Sequence, residues 1–212
     1  MTPREPTISD SVYDFVKISI LPVVLRRVRN PNRITVWGMA IALTAPLAFW
    51  MHPAMGVLII VVSGLCDMLD GMAAKAMDRR SIYGTFLDST ADRVADFSYL
   101  FGFWALCAVH GGGVIPGVGI CLALAFTFMG SYVKARAGGL RLDCPVGIMN
   151  RGTRVGYLIC WGIFLWMSPN DGFFGVFWSG LIVYLILAIA TLIQRIRYVY
   201  GEILELDDWR MP

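Results

Sequence analysis

Six apolar runs, separated by loops that alternate between basic ones and ones without Lys or Arg, constrain this chain more than any other feature. They extend roughly from Ile34 to Trp50, Ala54 to Leu69, Gly84 to Ala108, Val114 to Val133, Gly152 to Met167 and Gly172 to Ile193. Most approach the ~20 residues that a helix needs to cross ~30 Å of hydrocarbon. The second is long enough only if its helix continues through Asp67 and Asp70 towards Ala76, which puts those carboxylates near one membrane face. With 57% hydrophobic and 16% charged residues in 212, the chain lies outside the range of a soluble domain. The expected fold is an all-α integral membrane protein of six transmembrane helices.

The loops orient it. Lys and Arg stand before the first run (Arg26, Arg27, Arg29, Arg33), after the second (Lys75, Arg79, Arg80), after the fourth (Lys134, Arg136, Arg141, Arg151, Arg154) and after the sixth (Arg195, Arg197). The loops around Met51 to Pro53, His110 to Gly113 and Ser168 to Asp171 have neither. The positive-inside rule then predicts a multi-pass protein of the plasma (inner) membrane with both termini cytoplasmic. Residues Asp10 to Asn30 alternate apolar and polar positions at helical spacing and end in arginines, which suits an amphipathic juxtamembrane helix lying on the bilayer surface and kinked at Pro22. The chain reads as one domain over residues 1–212: tail and surface helix to 33, a six-helix bundle over 34–197, and a cytoplasmic tail over 198–212.

Several classes are excluded or disfavoured. A net charge of +3 with no block of like charge does not suit nucleic acid. The five cysteines have no CxxC and no zinc-like spacing, and read as reduced small hydrophobes. The N-terminus has no basic stretch leading into an apolar core, so no cleavable signal peptide is expected.

Between Asp67 and Asp92, four carboxylates besides Asp78 occupy otherwise apolar surroundings. Asp67 and Asp70 are spaced i, i+3 and Asp88 and Asp92 i, i+4, so on helices each pair shares a face. An ionised carboxylate near hydrocarbon costs several kcal/mol unless paired, hydrated or bound to a cation. Hard oxygen ligands favour Mg²⁺, Mn²⁺ or Ca²⁺, and two such ions on four carboxylates would suit phosphate chemistry. A network of salt bridges with Lys75, Arg79, Arg80 and Arg93 explains one or two of the aspartates, but not the spacing of glycines and aspartates together. Asp96, i+4 from Asp92, reads as a partner for Arg93 or another nearby arginine.

The pattern Asp67-x2-Asp70-Gly71-x2-Ala74-Lys75-x8-Gly84-x3-Asp88-x3-Asp92 resembles the signature of the CDP-alcohol phosphotransferase family. Every fixed position matches except Lys75, where the family usually has Arg, a change that keeps the charge but loses the planar guanidinium fork. The resemblance implies a CDP-alcohol phosphatidyltransferase, an enzyme of phospholipid biosynthesis that moves a phosphatidyl group from CDP-diacylglycerol to an acceptor hydroxyl and releases CMP. It further implies that Asp67, Asp70 and Asp88 hold two Mg²⁺ ions, with Mn²⁺ as the alternative, and that Asp92 is general base and further metal ligand. Gly71, Lys75 and Ser81 would contact the nucleotide, with Asn30, Pro31, Asn32 and Arg33 closing over it. That last segment, continued to Thr35, is similar to the family's Pro-Asn-x-x-Thr entry and reads equally as a plain helix start with Thr35 near the cap. A homodimer is implied as well.

A second basic group suggests the acceptor. Ser131 and Lys134 close the fourth run, Arg154 opens the fifth and Arg195 closes the sixth. Cations clustered with a hydroxyl are what a phosphate monoester needs, and these positions resemble the acceptor pocket of bacterial phosphatidylinositol-phosphate synthases. Expected partners are therefore the bilayer, CDP-diacylglycerol and a phosphorylated polyol. Inositol phosphate comes first and glycerol 3-phosphate second, the latter making the chain a phosphatidylglycerophosphate synthase. From other classes, a divalent-cation transporter and a catalytically silent scaffold remain, the first opposed by an acidic cluster confined to one face and the second by the intact aspartates.

Overall fold

The computed structural model describes residues 14, 16–28, 30–79 and 81–208. Arg29, Arg80, the first residues of the expected surface helix (10–13 and 15) and the terminal residues 1–9 and 209–212 lie outside them. Every regular element among the described residues is helical. Helix α1, Leu21–Arg27, follows one wide π-helical turn, Val16–Ile20. Pro22 explains the change of pitch, since it has no N–H to offer the preceding turn. The remaining helices are α2 (Pro31–Leu43), α3 (Ala45–Met51), α4 (Pro53–Ala76), α5 (Ile82–Val109), α6 (Val114–Gly139), α7 (Arg151–Met167) and α8 (Phe173–Asp208).

All six apolar runs are helical, and their ends differ from expectation where local chemistry intervenes. The first is split at Thr44, because Pro46 cannot bond the Ala42 carbonyl and its ring crowds it. The second does run on to Ala76, for 24 residues, carrying Asp67 and Asp70 in its last turns. The sixth continues through Arg195 and Arg197 to Asp208. Four stretches are long and apolar enough to cross a membrane: Pro31–Met51, Pro53–Ala76, Val114–Gly139 and Asn170–Leu206. Only 28% to 39% of each is buried inside the protein, so most of their apolar surface faces outward, which an aqueous protein would not tolerate. The chain is a multi-pass membrane protein.

The described residues fall into two compact units, one within Met1–Leu43 and Val61–Ala95, the other within Thr44–Ile60 and Asp96–Pro212. In the first, the inner face of the N-terminal helical segment buries Val16 and Leu21 against Ile34, Leu69, Met72 and Ala73, leaving Ile18 and Val23 exposed. That apolar cluster surrounds the end of α4 that bears the aspartates. Helices α2 and α4 cross closely at Gly38. A Cβ there would sit 2.8 Å from Cys66 Cβ, and Ser63 Oγ donates to the Gly38 carbonyl at 2.9 Å.

The second unit is built on aromatic packing. Phe49 meets Phe103 at 4.7 Å between centroids, Phe103 stacks on Trp161 at 4.2 Å, and Trp161 reaches Phe177 at 5.6 Å. Nearer the basic loops the interior turns polar. Thr127 and Tyr184 share a 2.8 Å hydrogen bond, and Asp96 is bound to Arg154.

Candidate functional site

Within the first unit a cavity of about 370 Å³ opens beside the acidic ends of α4 and α5. It is lined by Pro31, Asn32 and Thr35 from α2, Asp67, Asp70, Gly71 and Ala74 from α4, Arg79 and Ser81 from the connection, and Gly84, Thr85 and Asp88 from α5. Three local devices aim these residues. The Asn30 side chain accepts from the Asn32 N–H at 3.1 Å and starts α2, with Pro31 at its first position. Ser81 Oγ accepts from the Gly84 N–H at 2.9 Å and starts α5. Asp78 adopts φ 51°, the left-handed conformation that turns the chain between α4 and α5. At the cavity wall, Gly84 admits Asn32 and Ser81 together, since a Cβ would lie 3.2 Å from Asn32 Oδ1 and 3.1 Å from Ser81 Oγ. Gly71 leaves backbone open to the cavity, with nothing within 4 Å of where a Cβ would stand.

One carboxylate oxygen each from Asp67, Asp70 and Asp88 lies within 4.8 Å of the other two. Asp70 is buried, and its Oδ2 has no hydrogen-bond partner. A buried, unpartnered carboxylate oxygen beside two further carboxylates is costly as it stands and is what a hard divalent cation satisfies. The donor set therefore fits Mg²⁺ or Mn²⁺. Asp92, one turn further along α5, is not in this close set and does not line the cavity. It is buried, with Oδ2 3.5 Å from the Arg93 guanidinium.

Of the expected nucleotide contacts, Pro31, Asn32, Gly71 and Ser81 line the cavity. Asn30 serves as the helix cap, and Arg33 and Lys75 are exposed outside the lining. Besides Ala74 and Gly84 of the signature, three lining residues lay outside the expected contacts: Thr35, Arg79 and Thr85. Helical spacing could have found two of them, since Thr35 is i+3 from Asn32 and Thr85 is i−3 from Asp88. Arg79 sits in a non-helical connection, where periodicity carries no signal.

In the second unit the expected acceptor residues are only partly gathered. Arg154 and Arg195 meet at a cavity of about 10 Å³ lined also by Thr127, Gly130, Met149 and Thr191, room for about one water. Ser131, buried, and Lys134, exposed, do not line it. Both arginines hold the segment leading into α7. Arg154 Nη2 donates to Asp96 at 2.8 Å and Nη1 to the Met149 carbonyl at 3.2 Å. Arg195 donates through Nη1 to Gly130 at 2.7 Å and through Nε to Val146 at 3.1 Å. The Met149 N–H in turn donates to Thr191 at 2.9 Å. Asn150 caps α7 by accepting from Thr153 N–H at 3.0 Å, which places Arg154 one turn inside the helix and pointing inward. Asp96 thus pairs with Arg154, 58 residues along the chain, and not with Arg93, whose guanidinium lies against Asp92.

The sequence profile of the CDP-alcohol phosphatidyltransferase family matches residues 28–194. The archaetidylinositol phosphate synthase of Methanothermobacter thermautotrophicus is 31% identical over 210 residues, 93% of this chain and 99% of that protein. The phosphatidylinositol phosphate synthase of Mycobacteroides abscessus is 30% identical over 185 residues, 84% of this chain and 80% of that one. Among solved structures, the phosphatidylinositol phosphate synthase of Mycobacterium tuberculosis with CDP-DAG bound superposes with a TM-score of 0.76 at 24% identity, covering 87% of this chain and 94% of that one. The same enzyme in complex with manganese and citrate superposes with a TM-score of 0.73 at 23% identity, over 87% and 88% of the two chains. At that identity the likeness is one of fold.

Proposed function

The chain belongs to the CDP-alcohol phosphatidyltransferase family, and from that membership we propose that it transfers the phosphatidyl group of CDP-diacylglycerol to a hydroxyl of inositol phosphate, releasing CMP. The observation that carries the proposal is the 370 Å³ cavity, in which three carboxylates gather beside an open glycine backbone and the Asn32 and Ser81 side chains. Asp67, Asp70 and Asp88 would hold the divalent ions, Mg²⁺ or Mn²⁺, with Asp92 as a further ligand. Bound there, the cations supply neutralisation of the charge that develops on the CMP leaving group. Gly71 lets the diphosphate approach the α4 backbone, and Asn32 and Ser81 offer polar contacts to the nucleotide. Asn30, Arg33 and Lys75 belong to the rim of this donor site. Asp92 takes the proton from the acceptor hydroxyl as its oxygen bonds to phosphorus and the P–O bond to CMP breaks.

Inositol phosphate is favoured over glycerol 3-phosphate because the archaeal and bacterial relatives are named for different lipid groups but the same acceptor. Ser131, Lys134, Arg154 and Arg195 would supply the acceptor's phosphate contacts. The reading takes residues 1–212 as one catalytic domain with six spans, an amphipathic juxtamembrane helix, cytoplasmic termini and a cytoplasmic active site, working as a homodimer in the plasma membrane.

The test is CMP release by purified protein given CDP-diacylglycerol and Mg²⁺ with inositol phosphate, glycerol 3-phosphate, inositol or serine in turn. Inositol phosphate should be used best. Release without preference would overturn the acceptor assignment, and metal uptake into proteoliposomes with no CMP release would make the protein a transporter.

A further inference from the structure

Thr35 stands in a position that the aspartate signature does not cover. It is only 6% exposed, it lines the cavity with Asp67, Asp70 and Asp88, and its hydroxyl is hydrogen-bonded to Asp70 on the neighbouring helix. That arrangement is particular. The hydroxyls of Thr85, Thr90, Thr127 and Thr191 all turn back to the carbonyl four residues earlier, as helical threonines commonly do. Thr35 is directed across to another helix. Its reach depends on the close crossing of α2 and α4 one turn further on, where Gly38 has no room for a Cβ beside Cys66 and its carbonyl accepts from Ser63. Ser63 in turn lies one helical turn before Asp67, so the crossing sets Thr35 against the metal-binding turn of α4.

The consequence shows in Asp70. Its Oδ2 has no partner and stays available inside the site, while the carboxylate is held by the Thr35 hydroxyl together with the Gly71 N–H. A carboxylate with two free oxygens can rotate about χ2, whereas one tethered by a buried hydroxyl presents the second oxygen in a fixed direction. We infer that Thr35 is a positioning residue that fixes the Asp70 carboxylate and thereby sets the metal affinity of the site. This rests on the reading of Asp67, Asp70 and Asp88 as metal ligands, and is separable from it because Thr35 itself need not touch the ion. It also gives the Pro31 to Thr35 segment two tasks, one at the nucleotide and one behind a ligand.

The experiment is Mn²⁺ binding to the purified full-length protein without substrates, followed by the paramagnetic resonance signal of free Mn²⁺, for wild type, Thr35→Val and Thr35→Ser. Thr35→Val keeps the shape and removes the hydroxyl, and should weaken Mn²⁺ binding about 10-fold or more, within the range found when outer-shell partners of metal ligands are removed. The Mn²⁺ concentration that half-saturates CMP release should rise in parallel, and Thr35→Ser should restore both. Should Thr35→Val fail to fold, Thr35→Ser and Thr35→Ala, which differ only by the hydroxyl, carry the same comparison. Wild-type Mn²⁺ affinity in the variants that lack the hydroxyl would overturn the inference, and so would a lower melting temperature with no change in Mn²⁺ binding. A wild-type protein that binds no Mn²⁺ would instead remove the metal reading, and with it this one.

Discussion

At the scale of single residues, the four signature aspartates divide into three that converge and one that stands apart. Asp92 is buried one turn beyond Asp88, with its Oδ2 3.5 Å from the Arg93 guanidinium. Replacing Asp92 with Asn keeps the shape and removes the basicity. Turnover should be lost while CDP still binds, measured as CMP release alongside calorimetric titration with CDP, and full activity would remove the general-base role. A second prediction concerns the cations. Lys75 occupies the signature's Arg position yet lies outside the cavity lining, whereas Arg79, exposed like Lys75, lines it. Arg79→Ala should raise the KM for CDP-diacylglycerol about 10-fold or more, the effect of removing a hydrogen bond to a charged group. Lys75→Ala should change it less than threefold or so by comparison, as expected of an exposed charge outside the lining. Equal effects would return the diphosphate contact to Lys75. The aspartates and Gly71 were legible in the sequence because fixed spacing on a helix fixes a shared face. Arg79 was not, because its position depends on a left-handed residue, Asp78, in a connection that no periodicity describes.

At the scale of elements, function works against the hydropathy signal. Helix α5 must carry Asp88, Asp92, Arg93 and Asp96 in its first 15 residues, and α7 carries Arg151 and Arg154 in its first turn and is only 17 residues long. These two are the helices that fall outside the set apolar and long enough to be recognised as spans by composition alone. The runs remain legible as helices because their apolar residues continue past the charges. The break at Thr44 was also written in the sequence, in Pro46, but a run that stays apolar across a proline hides it. The charges are matched inside the protein: Asp96 on α5 and Arg154 on α7 form a 2.8 Å ion pair with side chains only 2% and 6% exposed. Breaking such a pair from one side leaves a buried charge uncompensated, and typically costs ~3–5 kcal/mol. Asp96→Asn should therefore lower the melting temperature in detergent by several degrees, followed by circular dichroism. The double variant Asp96→Leu with Arg154→Met should lose less stability than Asp96→Asn alone, although its turnover should fall if Arg154 reads the acceptor. A double variant less stable than Asp96→Asn would mean that the pair contributes stability beyond cancelling its own desolvation.

At the scale of the whole molecule, the number of spans decides where the chemistry happens, and two arrangements compete. If only the four most apolar stretches cross, then α5 and α7 stay on one side. The chain would cross at Pro31–Met51, return at Pro53–Ala76, cross again at Val114–Gly139 and return at Asn170–Leu206. The connection from Leu140 to Asn150 would then lie outside, taking Lys134, Arg136, Arg141 and Arg151 with it, while the uncharged loop from His110 to Gly113 would lie inside. Both placements reverse the positive-inside rule, and exporting four or more cations close to span ends is the outcome that rule excludes most firmly. If all six helices cross, every basic connection falls on one side. Length permits it: the 28 residues of α5 rise about 42 Å and the 17 of α7 about 26 Å at 1.5 Å per residue. The shorter value lies at the lower bound for a span, which slight local thinning of the bilayer accommodates. The six-span arrangement also leaves Asp67, Asp70 and Asp88 at the cytoplasmic ends of their helices, within reach of a nucleotide-linked donor. Fusions of alkaline phosphatase, active only outside the inner membrane, should be active after Gly112 and after Pro169, and inactive after Arg141 and after Leu206. The informative pair is Gly112 and Arg141, because the two arrangements give opposite results there and the same result at the other two positions. Activity at Arg141 with silence at Gly112 would establish four spans and move the arginines of α7 to the far side of the membrane from the aspartates.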